Sequence, residues 1–186
     1  MKTHTTLAKF IHWTFTLLYA YGIFKQVDDL NELEDASLLN FEILFATVFL
    51  IIVLFRYFYM KDTPTLLGAD ENLSKGHLLI AKTVHRLVYF SLIMLPTTGL
   101  LIAGLFNLGK GGIEVAIALH EFSAFLSYIV ITLHIGASLY SRFKGEGMWN
   151  SMVPVWQESG RKESNLVTKL EVIEKKVYNK VEDTFT

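Results

Sequence analysis

Six histidines are the residues of this chain best suited to coordination or proton chemistry: His4, His12, His77, His85, His120 and His134. Two of them, His120 and His134, sit in the apolar, aromatic-rich run ALHEFSAFLSYIVITLHIG at 118–136. Their separation of fourteen positions turns a helix to about 40° short of four full turns and rises about 21 Å, so the two imidazoles share one face at two depths. Imidazoles inside an apolar segment are costly, and a functional role is their default reading. Two ligands at two depths suit two stacked metal or haem sites. Cysteine is absent, which excludes disulfides, thiolate ligands, iron–sulfur clusters and Cys-based haem attachment. Imidazole-only sites in an apolar bundle fit haem iron, whereas a non-haem metal would bring carboxylates into a tighter cluster.

The elements that must position these histidines are apolar. Of the 186 residues 52% are hydrophobic, and the excess collects in four blocks at 7–24, 38–59, 78–106 and 112–140. A bilayer core of about 30 Å needs roughly 20 helical residues, which each block approaches or exceeds. Because spans must satisfy their own backbone hydrogen bonds, the expected fold is all-α, an integral membrane up-down four-helix bundle. No small-residue cleavage site follows the first block, which therefore reads as a retained span. Pro96, with Gly99 and Gly104 behind it, is expected to kink the third helix.

Net charge is −1, too small to point to a nucleic-acid partner, and none is expected. Its distribution is more telling. Asp28, Asp29, Glu32, Glu34 and Asp35 follow the first block, whereas Arg56, Lys61, Lys75, Lys82 and Arg86 surround the second loop. Lys2, Lys9, Arg142 and Lys144 flank the outer blocks. The positive-inside rule puts both termini and the second loop in the cytoplasm, and the acidic loop outside. This divides the chain into a four-span domain, 1–144, and a cytoplasmic tail, 145–186. The tail opens with the loop-like FKGEGMWNSMVPVWQESG, whose Trp149 and Trp156 suit the membrane interface. It closes with Leu166, Leu170, Ile173, Val177 and Val181 at helical spacing among charges, an amphipathic helix for a lipid surface, a partner, or the end of the bundle.

His12 and His134 fall near the cytoplasmic ends of the first and fourth helices, at matching depth. His120 falls near the outer end. His85 lies one to two turns inside the cytoplasmic surface, where its imidazole suits proton exchange with a quinone, a propionate contact or plain packing. Arg56, Lys82 and Arg86 at that level suit haem propionates, or serve only as positive-inside charges. His4 and His77 are expected to be interfacial, exposed and without a role.

FIHWTFTLL, HRLVYFSLIMLPTTGL and LHEFSAFLSYIVITLHIG, in that order, resemble the bacterial cytochrome b561 family, related to the b-type cytochrome subunits of nickel–iron hydrogenases and formate dehydrogenases. The resemblance covers about residues 7–143. It implies a multi-pass protein of the bacterial inner membrane that moves electrons between ubiquinone or menaquinone and a redox partner, an oxidoreductase activity. It also implies two b haems, the cytoplasmic one held by His12 and His134, the outer one by His120 and a histidine early in helix 2. Helix 2 contains no histidine, and the family position falls on Glu42. One haem is therefore expected and the second is in question. The outer haem is absent, with Glu42 bonded to His120, or it is five-coordinate on His120, or another side chain such as Met94 completes it. Two further readings stand beside the electron carrier: a haem-bearing anchor or relay subunit docked to a separate catalytic or regulatory protein, and a haem-free bundle whose histidines serve transport. A homodimer is compatible with either membrane reading.

Overall fold

The computed structural model describes residues 3–25, 27, 30–66, 73–162 and 164–185. Those residues form helices α1 (Thr6–Phe24), α2 (Ala36–Met60), α3 (Lys75–Asn107), α4 (Ile113–Lys144), α5 (Met148–Met152) and α6 (Asn165–Phe185), with a 3-10 turn at Leu30–Glu34. The first four match the four apolar blocks, with ends shifted by no more than four residues. The expected residues Asp28 and Asp29 lie outside the described set.

Among the described residues three helices, α2, α3 and α4, are long and apolar enough to cross a membrane. In α2 most of the apolar surface is turned outward, with Leu44, Ile51, Phe55 and Phe58 all more than half exposed. A helix apolar on every side wants lipid rather than water. α1 has 19 residues but is diluted by Lys9, His12, Thr14, Thr16, Tyr19 and Tyr21. Asp35 starts α2 by accepting hydrogen bonds from the Ser37 hydroxyl and amide, each at 2.8 Å, which hold its carboxyl below the usual carboxylate range.

The chain divides into two compact units. One comprises Phe10–Lys61 and Val88–Ile129, and therefore α1 from Phe10, α2, and parts of α3 and α4. Its interior holds Ile11, Phe15, Phe49, Val53, Leu92, Ala103 and Ala116, interleaved with buried Ser91, Thr98, Ser123 and Ser127. Small residues let membrane helices approach closely. Each hydroxyl is satisfied within its own helix: Ser91 donates to the Val88 carbonyl, Ser123 to Leu119 and Ser127 to Ala124. α3 continues through Pro96, whose missing N–H leaves the turn short of one bond. Just beyond it, the Thr97 hydroxyl donates to the Ile93 carbonyl at 2.7 Å and Thr98 to Met94 at 2.8 Å.

The other unit comprises Met1–Lys9, Asp62–Leu87 and Val130–Thr186. The stretch expected to be loop contains α5, because the Glu158 carboxylate accepts from the Gly147 amide at 2.7 Å and the Trp149 amide at 3.1 Å, satisfying first-turn donors. Arg142, 4% exposed, donates to the carbonyls of Trp156 (2.8 Å) and Gln157 (3.1 Å) and lies 3.6 Å over the Trp156 ring. Trp156 holds a positive φ of 53°, a backbone state bulky residues avoid, and this guanidinium pins it there. Charged hydrogen bonds contribute about 1.5–3 kcal/mol each. Arg142→Ala should therefore loosen residues 145–162, read as accelerated amide exchange confined to that segment.

The apolar stripe of α6 does not do the packing. Leu166, Leu170, Ile173 and Val177 are exposed, whereas buried Val167 and the polar edge beside it hold the helix to the unit. Tyr178 stacks on His77 with centroids 4.5 Å apart. Glu174 accepts from Lys144 at 2.7 Å and from the Tyr140 hydroxyl at 3.3 Å, and Glu182 accepts from the Gly76 amide at 3.4 Å. Burial foremost, with the Glu174 charge beside it, raises the Tyr178 phenol well above its ordinary range and keeps it neutral. His77 is thus a structural partner of α6 rather than the exposed residue its position suggests.

Candidate functional site

Each unit contains part of the histidine set. In the unit with α6, His85 of α3 meets His134 of α4 edge-on, with centroids 5.0 Å apart and planes at 82°. His85 Nδ1 lies 2.8 Å from the Ala81 carbonyl. A carbonyl only accepts, so Nδ1 carries the proton and Nε2 is left as an acceptor. Ser138 donates to the His134 carbonyl at 2.9 Å, one turn on. The proximity of His85 and His134 was legible from their depth; their ring contact was not.

The other unit contains His12, Arg56 and His120. His12 is half-buried, edge-on to Trp13 and Phe15 with centroids at 5.8 and 5.2 Å, and its carbonyl accepts from Thr16 at 2.7 Å. Arg56 is buried, with its guanidinium 5.2 Å from the Phe15 centroid, and hydrogen-bonds the Tyr89 hydroxyl. A charge so enclosed needs such partners.

His120 faces a cavity of about 540 Å³ whose walls come from α1, α2, α3, α4 and the segment around Leu30 and Leu33. That volume falls within the range of cofactor and small-molecule sites. His120 Nδ1 lies 3.0 Å from the Thr98 hydroxyl. That hydroxyl already donates to the Met94 carbonyl at 2.8 Å and approaches the Leu95 carbonyl at 3.0 Å, so it accepts from His120. Nδ1–H is fixed by this contact and Nε2 keeps its lone pair. This is how a ligating imidazole is usually oriented. Gly99 lies against the ring: a Cβ there would sit in ordinary contact, 3.5 Å from His120 Cε1.

Glu42 lines the same cavity, but it is not bonded to His120. Its carboxylate takes the Lys25 ammonium at 2.5 Å, and Lys25 also lies 4.0 Å from the Phe41 ring centre. The expected Glu42–His120 bond is thus replaced by two separate pairs, because a cation is the better partner for a carboxylate held among apolar walls. Met94, the other side chain considered for this level, is not among the lining residues. Tyr19 donates to Ser127 at 2.7 Å on the same wall. Sequence reasoning missed Lys25, Thr98 and Tyr19. The hydroxyl pair after Pro96 was the available signal for Thr98. Among the described residues no cluster of three or more His, Cys, Asp or Glu could hold a bare metal ion, so the donor set is that of isolated imidazoles, as haem iron requires.

Long apolar helices carrying isolated, oriented imidazoles define a membrane-embedded helical protein of the haem-binding kind. The family model of prokaryotic cytochrome b561 matches residues 3–155, and the chain belongs to that family. It is accordingly a bacterial membrane b-type cytochrome of electron transfer that binds haem b, and the haem-free reading falls away. No curated protein and no solved structure matches the chain.

Proposed function

We propose that the chain carries one b haem between His12 and His134 and passes electrons between the membrane quinone pool and another redox partner. Two neutral imidazoles are the donor set such an iron takes. Bound there, the haem supplies reversible one-electron chemistry. With His12 and His134 both given to the iron, the haem would carry electrons rather than bind substrate. The observation that carries the quinone assignment is the contact of His85 with His134: a second imidazole, one ring away from a proposed ligand. A quinol that gives up electrons must also shed protons, and an imidazole at this position is placed to take one. Arg56 is assigned to the propionates.

This reading has four spans in the bacterial inner membrane, with both termini cytoplasmic. It treats 1–144 as the haem domain and 145–186 as the tail. The alternative, a relay subunit docked to a catalytic or regulatory protein, draws on the exposed α6 stripe of Leu166, Leu170, Ile173 and Val177. A docked partner would cover it. The test is an absorption spectrum of the protein purified in mild detergent, before and after addition of a quinol. A reducible low-spin Soret and α band that responds to quinol is the expected result. A spectrum reduced by dithionite but indifferent to quinol, with a stoichiometric partner co-migrating, would establish the relay instead.

A further inference from the structure

We infer that the His120 cavity is a second haem site with a single protein ligand, and that its open iron face takes a diatomic ligand beside the Lys25–Glu42 pair. The inference rests on the haem-binding reading and departs from the bis-histidine arrangement at this level. His120 is prepared as a ligand: Thr98 fixes Nδ1–H, and the ring lines a cavity of about 540 Å³ with a predominantly apolar wall. The lining residues include no second imidazole and no methionine.

Of the other donors on the wall, Glu42 and Lys25 neutralise each other, Tyr19 is engaged with Ser127, and Glu121 and Tyr128 share α4 with His120. Glu42 gives its carboxylate to Lys25 at 2.5 Å, and both side chains are more than half shielded. Ligation by Glu42 would strip a cation of its counter-charge in an apolar wall, which is unfavourable. Lys25, held as an ammonium by that carboxylate, has no lone pair to offer. The pair instead provides a polar edge whose N–H groups can hydrogen-bond a polarised ligand. Glu42 at the family's ligand position therefore changes what the outer site does, from relaying electrons to holding a small molecule.

The test is haem content and carbon monoxide difference spectra of the reduced, full-length protein. Two haems per chain are expected, one low-spin and inert, the other high-spin and shifted by carbon monoxide. Glu42→His should convert the second haem to a low-spin form and abolish the carbon monoxide response without changing haem content. Thr98→Val, which removes the Nδ1 acceptor, should weaken retention of the second haem several-fold and leave the low-spin signal intact. One haem per chain in the wild type would overturn the inference while leaving the His12–His134 reading standing. Two low-spin haems indifferent to carbon monoxide would also overturn it. No haem at all would overturn both.

Discussion

His134→Ala is expected to remove the low-spin haem signal completely. Imidazole coordination on both faces is what makes a b haem low-spin, and no other side chain at the level of His134 replaces a lost ligand without cost. His85 is the nearest imidazole, but its Nδ1–H is engaged with Ala81 and its ring meets His134 edge-on, so taking over the role would require a new rotamer and the loss of that bond. His12→Ala should produce the same loss, and the double variant should be no worse than either single one, as for groups that act through one iron. His85→Gln separates the roles: the low-spin spectrum should persist while reduction by quinol slows about ten- to a hundredfold. Absorption spectra with a haem-to-protein ratio read the first effect, and stopped-flow reduction the second. A low-spin spectrum that survives in His134→Ala would sink the His12–His134 assignment.

The architecture was legible because bilayer solvent imposes a coarse code. A run of about 20 apolar residues has one stable solution, so four blocks became four helices with boundaries shifted by only a few residues. The histidines were visible for the same reason: in such runs an imidazole needs an explanation. What escaped was pairing. Counting places Glu42 and His120 near one level, but only the path of the chain after α1 brings Lys25 to Glu42, and only the turn beyond Pro96 brings Thr98 to His120. α6 illustrates the limit differently. Its periodicity correctly gave an amphipathic helix. Periodicity identifies the apolar face but not the face that packs, and here Glu174, Tyr178 and Glu182 make the contacts.

That polar docking makes Gly76 the most sensitive position for the tail. Gly76 is buried in the first turn of α3, and a Cβ built on it would collide with the Tyr178 backbone, the carbonyl oxygen first and then its carbon at 2.8 Å. Backbone cannot rotate aside as a side-chain tip can, so Gly76→Ala must push α6 away. Overpacking of this kind costs about 1–3 kcal/mol. The shift would also strain the His77–Tyr178 stack and the Glu182 contact to the Gly76 amide, because all three lie on one seam. The expected outcome is a protein with unchanged spectra whose residues 165–185 exchange amide protons and are cut by protease much faster than in the wild type. Gly104→Ala is the matched control. It lies in the same helix with nothing within 4 Å of its added Cβ, and should be neutral or slightly stabilising. If Gly76→Ala left the protection of α6 as it is in the wild type, this seam would not be what holds the helix, and the exposed stripe of Leu166, Leu170, Ile173 and Val177 would have to be its point of attachment.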